Sequence, residues 1–501
     1  MAIHKVLGVE TEFGIVHRGV AESNPVVASS LLINAYLADL QREQEAGPKV
    51  GWDFEDETPG NDARGDRGPS APPEVETHLV NAVLTNGARY YVDHAHPECS
   101  TPECADARSV VVFDRAAERI LQRSMAAANR QLPPGQELVV HKNNSDGKGN
   151  SYGCHENYLM ARSVPFGQVI TPATAHFVTR QLYTGSGKVG SEAPGVGARD
   201  VPYQLTQRAD FFEAEVGLET TLKRPIVNTR DEPHADAQKY RRLHVIAGDA
   251  NLSETATFLK VGATAIVLAM VEDDALPTTF VFRSPVQAMR QVSYDLTLRR
   301  PLELADGTTV TALEVQWELL ARARGWAAAH GLDAVGGEVG AQVLATWESV
   351  LTGLETDPDS LADRLDWVAK RRILEGYRER HGLDWGDGRL AALALQYHDL
   401  RPERSLALRA GLVRLTTDDE VARAMTQPPT DTRAYFRGRC LQRWSDQVVA
   451  ANWGSIVFDI GQDSLRRVPM MEPLRGPRAH VGTLVDESAT PAELLARLGG
   501  A

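Results

Sequence analysis

Cysteine is scarce in this chain: four in 501 residues, at Cys99, Cys104, Cys154 and Cys440, with no C-x-x-C pair. Sparse, unpaired spacing fits reduced thiols, so neither a disulfide framework nor a structural zinc site is expected. Long apolar runs are missing too, none approaching the roughly 20 residues that cross a bilayer. The first residues, MAIHKVLGVETEFG, lack the apolar core and cleavage site of a signal peptide. No membrane contact and a cytoplasmic location are therefore expected. Positive charge is also short: 53 Lys and Arg against 67 Asp and Glu leave a net charge of −14, which argues against general nucleic-acid binding. A true P-loop is absent. In YTGSGKVG the leading glycine position is Leu182 and Lys188 is followed by Val189, so the phosphate-cradling template fails twice and a plain loop is expected.

What remains is ordinary for a soluble enzyme: 43% hydrophobic and 24% charged residues, with room for one large domain or two. One stretch is not ordinary. In VLGVETEFGIV, residues 6–16, strand alternation puts Leu7, Val9, Phe13 and Ile15 on one face and Glu10 and Glu12 on the other with Gly8 and Gly14. Same-face neighbours stand roughly 6.5–7 Å apart, close enough for each acid to bind one of two adjacent cations. The blander alternative is a sheet whose second face meets water.

After this strand, Asn24 as cap and Pro25 at the first helical position open a helix through Leu31, Tyr36 and Leu40. Residues 44–74 are rich in Gly, Pro and charge without periodicity, which predicts a mobile, unfolded insertion with Trp52 and Phe54 as its aromatic anchors. A helix over 106–125, strand-like ELVVHK and RRLHVIAG, and a helix over 253–271 predict an α+β core, with helices against one face of a sheet. The pattern is helical between 311 and 400. A small C-terminal domain is expected over 431–501, after a large catalytic domain over 1–430.

The segment ARYYVDHAHPECSTPEC, residues 88–104, repeats the acidic logic. Arg89, Tyr91 and Asp93 share a strand face, and Glu98 and Glu103 follow a turn. Paired directly with the Glu10/Glu12 strand, this would make an oxygen-lined platform suited to Mg²⁺. His94 and His96 read equally as solvated turn residues. His155 and His244 sit in strand-like contexts where a satisfied core histidine is the commoner outcome. A nucleotide on such a platform needs arginines for its phosphates, and Arg89, Arg208, Arg230 and Arg433 are the candidates.

With GVETEFGI, LTNGARYYVDHAHPECSTPEC, NNSDGKGNSYGCHENYLM, PPTDTRAYFRG and PLRGPRAHVG in view, the chain resembles the depupylase and Pup-ligase family, relatives of glutamine synthetase, over essentially its whole length. The resemblance implies a glutamine-synthetase-like curved antiparallel sheet backed by helices. It implies Glu10, Tyr91 and Glu98 as Mg²⁺ residues, completed by Glu12, His155 and His244. Asp93 becomes the catalytic aspartate, and Arg89, Thr101 and Trp453 contacts of ATP. Cys99 and Cys154 depart from the family pattern, where Tyr and Ser are expected. The implied reaction is hydrolysis of the isopeptide bond between Pup and a substrate lysine, and deamidation of a Pup ending in glutamine. Pup and pupylated proteins are the implied partners of a monomeric enzyme. Whether Asp93 attacks directly or activates water stays open. The alternative function is Pup–protein ligase, which would use the same platform. An acidic Pup also predicts a basic stripe, for which Lys223, Arg224, Arg230, Arg241 and Arg242 are candidates.

Overall fold

The computed structural model describes residues 1–43, 50–55, 57–65, 79–197, 199–276 and 280–499. The strands that position the site are β1 (Leu7–Glu12), β2 (Gly14–Arg18), β3 (Gly51–Trp52), β4 (Asn81–Val83), β5 (Arg89–Asp93), β6 (His96–Ser100), β7 (Glu137–His141), β8 (Cys154–Ala161), β9 (Tyr240–Val245), β10 (Val448–Ala451), β11 (Ser455–Phe458) and β12 (Arg466–Pro469). A ten-stranded sheet runs in the order β9-β8-β1-β6-β5-β4-β3-β10-β11-β12. Its pairs are antiparallel except β3 with β10, which run parallel.

Alternation in β1 holds: Leu7, Val9 and Thr11 are buried while Gly8, Glu10 and Glu12 are half-buried on the other face. The acidic run is nevertheless two strands rather than one. At Phe13 the chain leaves the large sheet, and β2 pairs with β7 in a separate two-stranded sheet. Phe13 and Ile15 enter a different apolar cluster from Leu7 and Val9, so the run serves two cores.

Three helices carry the back of the sheet. In α1 (Pro25–Arg42), the Asn24 side chain accepts from the Val26 and Val27 amides, as its sequence predicts. Leu31 faces solvent, and Leu32 and Ile33 take the buried positions. α2 (Ala107–Asn129) opens on the Asp106 cap and buries Val110, Phe113, Ile120 and Leu121. α3 (Glu254–Glu272) is long and apolar enough to cross a membrane by length and composition, and it is fully buried in the protein core. The helical stretch predicted after 311 is present, with α4 (Asp366–His381) among its helices.

The third apolar cluster gathers α5 (Arg433–Trp444), strands β10 to β12, Val485 and Leu494. Val50, Trp52 and Val83 join it. This corrects the expectation of a wholly unfolded insertion: Val50 and Trp52 are buried, and β3 bridges the N-terminal strands to the C-terminal ones, while most of the described residues from 53 to 65 stay exposed or half-exposed. The segment has too little apolar surface to order itself, but Trp52 borrows it from Trp453, ring centres 5.1 Å apart. Ala63 N donates to Thr229 O at 2.8 Å and pins the far end. Residues 44–49, 56 and 66–74 of the expected insertion lie outside the described residues.

Candidate active site

Five neighbouring strands bring the acids and histidines onto one face. Register pairs Glu10 with His155 and with Ser100, Glu12 with Glu98, Tyr91 with Glu98, and His244 with Asn157. Strands β1 and β5 are not partners, as direct pairing of the two acidic strands would require. β6 lies between them because the chain reverses at His94 and Ala95, with His94 in the left-handed region at φ 51°. That hairpin is what carries Glu98 into the site.

Two ligand groups result. One oxygen or nitrogen from each of Glu10, His155 and His244 lie within 4.8 Å of one another, and so do those of Glu12, Asp93 and Glu98. The Tyr91 hydroxyl donates to Glu98. The donor set suits a divalent cation: carboxylates and imidazoles in a half-buried face, with the buried His244 Nε2 lacking any hydrogen-bond partner. Its Nδ1 is accounted for by Asn157 Oδ1 and the Arg242 guanidinium, each at 3.2 Å. Between Gly153 and this face there is no room: a Cβ there would collide with His155 Nε2 and come within 2.9 Å of Glu12 Oε1.

Charge is unevenly compensated. Burial, then the negative charges of Asp93, Glu12 and Glu10, push the Glu98 carboxyl well above the usual range. Burial and Asp93 also raise Glu12, against the pull of His155. Glu10 is held well below the usual range despite its burial, because His155 bonds it and the His244 and Arg242 charges face it. Asp93 is likewise lowered against burial, by His94 at 2.9 Å and by the charges of His155 and Arg89. Asp93 therefore sits ionised at the end of the acidic row.

The predicted nucleotide residues are divided. Thr101, Arg433 and Trp453 line one cavity of about 80 Å³ together with Glu10, Asn157 and Arg242. A second cavity of about 590 Å³, between Glu57, Asp62, Asp231, Asn452 and Met471, adjoins it across Pro233 and His234. Its size is in the usual range of roughly 300–1,000 Å³ for small-molecule sites. Thr101 Oγ1 accepts from Val9 N at 3.0 Å. Arg433 is largely committed to structure: it pairs with Glu103 at 2.7 Å and donates to the carbonyls of His234 and Met470. Arg89 lies between the rings of Trp52 and Tyr91, 4.0 and 3.9 Å from their centres, with Glu57 at 3.6 Å.

Other expectations fare differently. His94 is exposed, but His96 opens β6, packs on Tyr152 with centres 4.3 Å apart and reaches Glu12 at 3.6 Å, so it is no solvated turn residue. Glu103 turns away from the acidic face to Arg433 and Arg437. Arg208 is buried and donates to Ile246 O at 2.5 Å, and its charge acts on Glu12. The basic stripe breaks at β9, where Arg241 and Arg242 are both buried and alternate to opposite faces, one bonding Val164 O and the other Asn157. Asn157, Glu57 and His234 belong to the site without having been singled out. Asn157 lay two residues beyond His155 on the same strand face, a signal the alternation rule could have used.

The family described as Pup-ligase protein matches residues 5–457. A depupylase of Acidothermus cellulolyticus is 51% identical over 513 residues, covering 99% of this chain and 100% of that protein. A Pup deamidase/depupylase of Mycolicibacterium smegmatis is 46% identical over 511 residues, covering 99% and 100%. Among solved structures, the Pup ligase PafA in complex with ADP superposes with a TM-score of 0.73 at 35% identity, covering 81% of this chain and 89% of that one.

Proposed function

The chain belongs to the Pup-ligase family, and from that premise we propose that it works on the hydrolytic side of Pup chemistry. It is a depupylase and Pup deamidase. It hydrolyses the isopeptide bond between the terminal glutamate side chain of Pup and a substrate lysine, and the side-chain amide of a Pup ending in glutamine. The observation that supports hydrolase over ligase is sequence similarity: relatives named for depupylation are 46–51% identical over 99% of the chain, whereas relatives named Pup–protein ligase are 40–41% identical over 81% of it, and a solved ligase that spans 99% is 30% identical. It binds a nucleotide, which we take to be ATP with Mg²⁺, and we place it in the cytoplasm as a monomer acting on pupylated proteins.

The residues divide the work by position. Glu10, His155 and His244 form one candidate Mg²⁺ set, and Glu12 and Glu98, with the Tyr91 hydroxyl on Glu98, the other. Bound there, Mg²⁺ would supply charge neutralisation for phosphate and polarisation of the amide carbonyl. Thr101 and Trp453 line the smaller cavity and would hold the nucleoside, and Arg89, held by two rings, would pair with the phosphates. Asp93 is the ionised group at the edge of the row. It serves as nucleophile on the side-chain carbonyl or as the base that takes a proton from water. In either case one water is consumed, giving a glutamate carboxylate and releasing the lysine amine from the isopeptide or ammonia from the glutamine amide.

The test is Asp93→Asn assayed with a pupylated protein, ATP and Mg²⁺. Loss of Pup release with nucleotide affinity retained is expected. Near-wild-type release in that variant overturns the assignment of Asp93, and Pup attachment without release by the unmodified protein overturns hydrolase in favour of ligase.

A further inference from the structure

His234 stands where the two cavities meet and lines both. Its backbone is in the left-handed region, φ 48°, a conformation that non-glycine residues enter rarely and at a cost. The surroundings hold it there: its carbonyl accepts from Arg433 Nη1 at 2.7 Å, and Pro233 fixes the preceding turn. The side chain is 20% exposed, and its nearest ionic neighbour is Glu232 at 3.9 Å, beyond hydrogen-bond reach. Burial and the charges of Arg242, Arg433 and Arg89 keep the imidazole neutral, with one donor and one acceptor nitrogen. A strained turn that holds an unbonded, neutral imidazole at the mouth of two joined cavities is the arrangement of a binding residue.

We propose that His234 contacts the nucleoside part of the bound nucleotide, hydrogen-bonding its sugar or base from the junction of the two cavities. The inference rests on the nucleotide-binding reading and adds a specific contact to it. A neutral imidazole suits hydroxyls and ring nitrogens, whereas the phosphates have the guanidinium of Arg89 and the acids' cations on the sheet face.

Backbone and side chain are separable by substitution. His234→Gly removes the ring and accepts the left-handed backbone at no cost, and His234→Asn tolerates that backbone while keeping a donor and an acceptor. Calorimetric titration of the full chain with ATP and with ADP at fixed Mg²⁺ reads the contact. His234→Gly should lose about ten-fold in affinity for both nucleotides alike, the size of one hydrogen bond in a buried site, with His234→Asn recovering part of it. Thermal unfolding without nucleotide should remain a single cooperative transition in His234→Gly, so that a loss of affinity is read on a folded protein. Unchanged affinity in His234→Gly, or a loss confined to ATP, overturns the proposal. If the wild-type protein binds neither nucleotide, the underlying reading falls with it.

Discussion

Glu12 and Glu98 face each other in register across β1 and β6, on the half-buried side of the sheet. Like charges directly opposite destabilise a sheet pair, and burial sharpens the cost. A cation between them would turn repulsion into ligation, which is the role proposed for this pair. Glu98→Gln should therefore stabilise the protein without divalent cations, by about 1 kcal/mol, and blunt its stabilisation by Mg²⁺. Wild type should gain about 2.7 kcal/mol at a Mg²⁺ concentration 100-fold above its dissociation constant. Denaturant unfolding with and without Mg²⁺ measures both effects, and equal Mg²⁺ stabilisation of the two proteins would contradict the cation role.

Gly153 precedes the strand that carries His155, and a Cβ on it would run into the His155 ring and Glu12. Gly153→Ala should displace both candidate ligands without disturbing the apolar core on the other face of β8. The expected result is loss of most hydrolytic activity and weaker Mg²⁺ binding, with the unfolding midpoint close to that of the wild type. Full activity in this variant would mean that the two ligands are not needed where they stand.

Trp52 holds Arg89 from one side and Tyr91 from the other. Trp52 also accounts for much of the packing of residues 50–55 against Trp453. Trp52→Ala should cost about 3–5 kcal/mol of stability by the usual price of a buried aromatic. It should also lower nucleotide affinity, since the guanidinium, already 3.6 Å from Glu57, loses one of the two rings that position it. Trp52→Phe keeps a ring under Arg89 and should retain most affinity in the same titration. A Trp52→Ala protein that is destabilised but binds nucleotide normally would separate the packing from the site.

Lys370 in α4 is buried, and desolvation pushes its amine down to about 7 against the charges of Asp366 and Asp249. The unfolded chain holds this proton up to about 10, the folded one only to about 7. Between these limits the unfolded state binds more protons, so the Lys370 contribution to stability rises with pH there and is flat below. In urea unfolding, wild type should gain on Lys370→Met as pH climbs from about 7 to about 10. A constant difference would show that the amine keeps its proton when folded.

Local patterning determined a good deal by itself. Asn24 and Pro25 start α1 where their chemistry says they must, because a cap is satisfied within three residues. The alternation of Leu7, Gly8, Val9 and Glu10 fixes which side of β1 packs, and the same rule sets Tyr90 and Val92 against Arg89, Tyr91 and Asp93. Thus the acids of β1 and β5 were legible from alternation, whereas a metal role for His155 and His244 came from the family resemblance alone. Tertiary structure decided what no single segment encodes. The insertion of β6 between the acidic strands depends on a turn at His94, and the end of β1 at Phe13 depends on which of two cores the next residues enter. Trp52 packs only because Trp453, some 400 positions later, offers the surface that residues 50–55 lack locally. His234 was missed for the same reason: its segment has no periodic signal, and only tertiary structure places it in the lining of both cavities.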